Sequence, residues 1–156
     1  MKLDAINKRI LDILQEQGAI TNAELASQIG LAPASVFERV RKLEAGGIIR
    51  KYVALVDREK IGKGITAFVF LTVSDYSAKA IQKLSAEIGE LPEVLECYRL
   101  GGEQDYLLKV VTDDIPSYDR FICDKLSTLS ALGKFSSMFV LSTIKEQTKI
   151  SLEVNP

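Results

Sequence analysis

Histidine is missing from this 156-residue chain, and with it the commonest general base and the commonest metal ligand. Carboxylate or thiol chemistry stays open, but the case for an enzyme weakens. Tryptophan is missing too, and aromatic residues make up only 7% of the chain. Its two cysteines, Cys97 and Cys123, lack the CxxC spacing of a zinc or redox site. A reduced, cytoplasmic protein is the simplest reading of that usage. No apolar run approaches the ~18 residues of a membrane span. The opening MKLDAINKRILDIL sets Asp4 and Asp12 into its apolar stretch, so it does not read as a signal peptide. No glycine-rich phosphate loop, nucleophile elbow, repeat or low-complexity tract is found. Nothing points to a cofactor or a metal.

What the chain does contain is ordinary globular material, 47% hydrophobic and 26% charged. Its net charge is −1, which favours no class of partner. The distribution is less even. Residues 1–60 hold 10 basic and 8 acidic side chains, against 10 and 13 in the remainder. Between Glu38 and Lys51 five basic residues meet two acidic ones, a modest excess.

Helical spacing of Ile6, Ile10, Ile13 and Leu14 predicts a helix from Asp4 to Gln17, ended by Gly18. Thr21 and Glu24 stand at capping-box spacing before Leu25, Ala26 and Ile29, a short second helix. Gly30 offers a left-handed turn. Pro33 suits the first turn of a third helix, whose Val36, Val40 and Leu43 face inward until Gly46 and Gly47 stop it. Three such helices make a helix-turn-helix unit. The alternating run IIRKYVALVD reads as a following strand, a wing or a link, and KIGKG as a domain boundary.

Beyond it, ITAFVFLTV reads as a buried strand and Ser77 to Leu91 as a helix with Ile81, Leu84, Ile88 and Leu91 on one face. VLECYRL and DYLLKVVT flank GGEQ as a hairpin. A helix from Ile115 to Leu129, with Tyr118, Phe121, Ile122 and Leu126 inward, precedes a last strand SSMFVLSTI. The order β-α-β-β-α-β is that of a ferredoxin-like fold. The expected class is therefore α+β: a (winged) helix-turn-helix domain over residues 1–60, then a ferredoxin-like domain over 61–156.

This combination, with its residues, resembles the leucine-responsive/asparagine-responsive (Lrp/AsnC) transcriptional regulators. LDAINKRILDILQEQGAITNAELASQIGLAPASVFERVRKLEAGGIIRKYVALVD is similar to their N-terminal region, PEVLECYRLGGEQDYLLKV to the turn of their amino-acid-binding domain, and SSMFVLSTIKEQTKISL to their final strand and tail. The resemblance implies a cytoplasmic, sequence-specific DNA-binding regulator, not an enzyme, whose assembly or DNA affinity responds to an amino acid. It also implies a homodimer on a pseudo-palindromic site in double-stranded DNA, assembling further into an octamer as a tetramer of dimers.

The major groove admits the second helix of such a motif. With Val36, Val40 and Leu43 turned inward, Ala34, Ser35, Phe37, Glu38, Arg41 and Lys42 face outward. Arg39 sits beside the buried stripe, where it either reaches the DNA backbone or pairs with an acidic neighbour. Glu38 either accepts from cytosine N4 or pairs with Lys42 one turn on, the second being preferred. Three positions depart from the family pattern: Glu38, where basic residues are frequent; Ala32, where a serine would cap the third helix; and Asn7, where aspartate is usual. For the effector, the resemblance implies a cleft at a contact between dimers. Gly101 and Gly102 would present backbone N–H groups to a carboxylate, and Asp105 would meet an α-ammonium. Glu103 and Gln104 would line the rim, and Tyr98, Leu100, Ser137 and Met138 the side-chain pocket. The competing reading is a metabolite-binding or enzymatic subunit with a ferredoxin-like domain and a protein-contacting helix-turn-helix.

Overall fold

A computed structural model of the chain describes residues 3–152. They divide into two compact units. One runs to Leu55 and takes up the chain again from Lys145; the other is Val56–Ile144. This division falls a few residues before the boundary expected near residue 60, and it groups the C-terminal segment with the first unit.

In the first unit, α1 (Ala5–Glu16) begins where the Asp4 carboxylate accepts the Asn7 backbone N–H at 2.7 Å. Helix α2 (Asn22–Ile29) opens on a complete capping box, with Thr21 and Glu24 each accepting from the other's backbone. Gly30 then takes the left-handed conformation (φ 72) that costs glycine little. Helix α3 (Pro33–Ala45) has no side-chain cap at Ala32, and Pro33 supplies the first-turn φ. Ile10, Leu25, Val36 and Leu43 are fully buried and join the three helices. Residues 48–57 form no strand among the described residues, contrary to the alternating pattern. Val53, Leu55 and Val56 are exposed there. A strand needs a neighbour to hydrogen-bond, and among the described residues no strand pairs with this run.

The second unit contains β1 (Ile65–Val73), α4 (Ala78–Gly89), β2 (Val94–Arg99), β3 (Tyr106–Thr112), α5 (Ile115–Arg120) and β4 (Leu132–Phe139). All pairings are antiparallel, in the order β2-β3-β1-β4 expected of a ferredoxin-like fold. Ala67, Val69, Leu71 and Val73 alternate along β1 and pack with Leu84 and Ile88 of α4 and Tyr118 of α5 on one face of the sheet. The predicted helix 115–129 is broken: α5 gives way to one wide turn over Phe121–Lys125 and a tight one over Leu126–Thr128. The last strand starts and ends earlier than expected. Past Phe139 only the Val140 N–H finds β1, bonding Thr66 O at 2.9 Å, because β1 itself begins at Ile65. Its start is allowed by Gly133, where a Cβ would stand 2.8 Å from Thr72 Oγ1 and 2.9 Å from the Thr72 carbonyl.

Candidate functional site

Two regions hold the predicted site residues. On α3, Val36, Val40 and Leu43 are buried, so helical geometry leaves Ala34, Ser35, Phe37, Glu38, Arg41 and Lys42 exposed, as expected. The Arg41 side chain is 70% exposed and that of Glu38 55%; they approach each other at 3.9 Å across three residues. Glu38 therefore pairs with Arg41, not with Lys42. An exposed pair of this kind is worth little, so both side chains can exchange it for another partner. Phe37 is half exposed, a large apolar ring on an otherwise polar face.

Arg39 behaves differently. Its Nη1 donates to Asp4 Oδ2 at 2.7 Å and to Asn7 Oδ1 at 3.0 Å. Of the two readings of this residue, pairing with an acidic neighbour is the arrangement present. The Asn7 N–H first, and the Arg39 guanidinium second, hold the Asp4 carboxyl below the usual carboxylate range. The bond joins the first residues of α1 to the middle of α3 and so fixes how α3 is presented. Beside it opens a recess of about 380 Å³ lined by Asn7, Ser35, Glu38, Arg39 and Lys42.

The second region is the loop between β2 and β3. Arg99 pairs with Tyr106, and the Leu100 N–H donates to the Asp105 carbonyl at 2.8 Å, closing Gly101 to Gln104 into a short loop. Gly102 has φ 153, a conformation side chains rarely adopt, and the space beside it is open. The Asp105 carboxylate Oδ2 accepts the Val73 N–H at 2.8 Å and the Tyr76 hydroxyl at 3.0 Å. That hydrogen bond to Asp105 is the main reason the Tyr76 phenol is pushed up. Sequence reasoning misses Tyr76: it lies 29 residues from Asp105 along the chain, and nothing in its surroundings marks it.

The remaining predicted effector residues do not come together within one chain. The register places Ser136, Phe70, Leu107 and Tyr98 in one row across the sheet, with Met138, Phe68, Lys109 and Glu96 in the next row on the same face. That face points away from the helices, since the alternate residues Val69 and Leu108 are fully buried beneath them. Tyr98 and Met138 thus share a face but sit on opposite edge strands, roughly 14 Å apart at ~4.8 Å per strand. Ser137 points the other way, where its Oγ accepts from the Tyr118 hydroxyl. A single pocket holding Tyr98, Ser137 and Met138 of one chain is excluded by this register. Period-2 alternation puts neighbours such as 137 and 138 on opposite faces, and the expected cleft, at a contact between dimers, does not require them to meet within one chain.

Among the described residues no group of His, Cys, Asp and Glu could hold a metal ion, and no helix is long and apolar enough to cross a membrane. A three-helix unit with an exposed polar helix, joined to a sheet domain with an open glycine loop, defines the class: a DNA-binding unit coupled to a ligand-binding one. Comparison with known proteins agrees. The family model for winged helix-turn-helix DNA-binding matches residues 3–50, and that for the Lrp/AsnC ligand binding domain matches residues 66–150. The transcriptional regulator AzlB of Bacillus subtilis is 36% identical over 97% of this chain and 96% of its own length. The glutamate uptake regulatory protein of Zymomonas mobilis is 39% identical over 97% and 92%. A crystal structure of a Neisseria meningitidis transcriptional regulator in complex with L-Met superposes with a TM-score of 0.92 at 35% identity, covering 97% of each chain. The chain belongs to the Lrp/AsnC family of transcriptional regulators.

Proposed function

We propose that the protein binds double-stranded DNA through α3, that it does so as a homodimer, and that an amino acid bound at the β2–β3 loop modulates the interaction. The observation that carries the reading is the polar face of α3, whose Ser35, Arg41 and Lys42 are exposed together while the apolar face is buried. Arg41 and Lys42 reach phosphates or guanine, Ser35 bonds a base edge or phosphate, and Ala34 and Phe37 offer apolar contact to thymine methyls. Glu38 tempers the local positive charge through Arg41. Arg39 is a positioning residue: its bonds to Asp4 and Asn7 orient α3.

One such helix makes few base contacts, so a second copy reading a half-site about one turn away is needed for specificity. The sheet face bearing Phe68, Phe70, Leu107 and Met138 supports the dimer. A sheet must cover its second apolar face, and a twofold axis lets this face cover its own copy. The family resemblance extends this to an octamer as a tetramer of dimers, acting in the cytoplasm and without catalysis. The family resemblance sets the effector cleft at a contact between dimers, where the Asp105 loop of one chain would meet another chain.

In the effector site the backbone at Gly101 and Gly102 would receive a carboxylate and Asp105 an α-ammonium. The Asp105 carboxylate is held by the Val73 N–H, so it is fixed before any ligand arrives. Relatives include a regulator solved with L-Met and one named for glutamate uptake, which supports an amino acid as the class of effector. A thermal-shift screen of the twenty amino acids tests this. At least one should raise the melting temperature of the wild type, and Asp105→Ala should lose that shift while melting cooperatively. No shift for any amino acid would remove the effector site.

A further inference from the structure

The C-terminal segment, residues 145–152, lies against α1 through a set of matched contacts. The Gln15 side-chain amide donates from Nε2 to the Ile150 carbonyl at 3.0 Å, and its Oε1 accepts the Ile150 N–H at 2.7 Å. One side chain thus satisfies both backbone polar groups of one residue, as a neighbouring strand would. Lys149 Nζ stands 2.8 Å from Asp12 Oδ1 and 2.5 Å from Glu16 Oε1. Asp12 and then Glu16 accordingly push the Lys149 ammonium's pKa up. Leu152 packs, partly buried, against the core cluster of α1, α2 and α3. Positions 12, 15 and 16 share one stripe of a helix, and Ile10 and Ile13 on the other side are buried. The stripe is therefore spare surface: the three-helix core does not use it.

We infer that the Asp12–Gln15–Glu16 stripe of α1 is a docking surface for an extended peptide, that its occupant is the chain's own residues 145–152, and that this strap positions the DNA-binding unit. The covalent layout gives it that reach. The chain leaves the first unit after Leu55 and re-enters it at Lys145, and only residues 140–144 separate β4 from the strap. Leu141 and Ile144 in that short run are 98% and 92% exposed, so the docked part begins after them. Two chain crossings hold a domain with less orientational freedom than one, and releasing one lowers the effective concentration of the helix at its target. The positioning role rests on the DNA-binding reading; the docking does not.

Hydrogen exchange on the full chain tests the docking. In the wild type the Ile150 amide, which donates to Gln15 Oε1, should be protected. Lys149→Glu and, independently, Gln15→Ala should speed its exchange at least tenfold. The triple variant Asp12→Lys, Glu16→Lys, Lys149→Glu should restore protection by reversing every charge. Exchange at unstructured-peptide rates in the wild type, or no response to either single variant, overturns the docking. Affinity for the gene's own upstream DNA tests the positioning. Lys149→Glu and a chain ending at Ile144 should each bind at least threefold more weakly, and the charge-reversed triple should recover. Unchanged affinity once protection is abolished overturns the positioning while leaving the docking in place. A wild type that does not bind DNA at all, with protection intact, refutes the regulator reading instead.

Discussion

Arg39 sits on the helix assigned to DNA, yet its guanidinium is spent on Asp4 and Asn7. The neutral amide at Asn7 accepts one N–H where the family pattern would put a second carboxylate, so the guanidinium faces one negative charge rather than two. Because the folded-state pKa of Asp4 is depressed, its contribution to stability is present above the unfolded value of about 3.9 and is lost as pH falls through the folded one. The stability of the first unit should therefore fall as pH drops below about 4. An NMR titration of the Asp4 carboxyl checks the cause. Arg39→Leu should move its midpoint upward but only part of the way, since the Asn7 N–H is the larger influence; an unmoved midpoint would show that Arg39 is not its partner. From sequence, Arg39 has two equal readings because its acidic partner lies 35 residues away, beyond any helical spacing. Glu38 is misassigned for a smaller reason: Arg41 and Lys42 are both within one turn, and local pattern does not rank i+3 against i+4.

At the scale of elements, helices are legible where their ends carry chemistry. Asp4, Thr21 and Ser77 each accept a backbone N–H at the predicted start. Helix α3 is the exception, since Ala32 has no side-chain oxygen to offer. Its φ of −66 and ψ of 138 already suit a cap, so Ala32→Ser should stabilise the first unit by about 1 kcal/mol in chemical denaturation. No gain would mean that Pro33 already secures the turn. Strands are legible where alternation and burial coincide, as in β1. They are not legible where a neighbour decides. Residues 48–57 alternate but have no partner strand among the described residues. Strand β4 begins at Leu132, where Gly133 and Lys134 hide the pattern, and ends where β1 runs out. The break after α5 likewise leaves no mark in the run Tyr118, Phe121, Ile122 and Leu126, which keeps helical spacing throughout.

For the whole molecule, the order of elements suffices for the fold and for the family, because a helix-turn-helix before β-α-β-β-α-β is a specific combination. The exposed residues of α3 that are proposed to meet DNA follow from helix geometry. The proposed effector residues do not meet in one chain's register, as a site built between copies would not. The open sheet face gives that assembly a direct test. Phe70 lies in its central row, so Phe70→Asp should place an unpaired charge in the interface and halve the mass seen by light scattering. An unchanged mass with intact folding would move the dimer contact elsewhere. The docked C-terminal segment is invisible in the sequence for the same reason as the Arg39 pairing: its partners on α1 are 133 to 137 residues distant.

The central claim is that α3 enters a DNA duplex with Arg41 and Lys42 against it. The most direct measurement is the salt dependence of binding to the gene's own upstream DNA, for the wild type and for Arg41→Ala with Lys42→Ala. For every phosphate no longer neutralised, the slope of log K against log salt should flatten by up to ~0.9. The double variant should therefore bind more weakly and titrate more shallowly. A slope identical to that of the wild type would place both residues outside the interface and contradict the account.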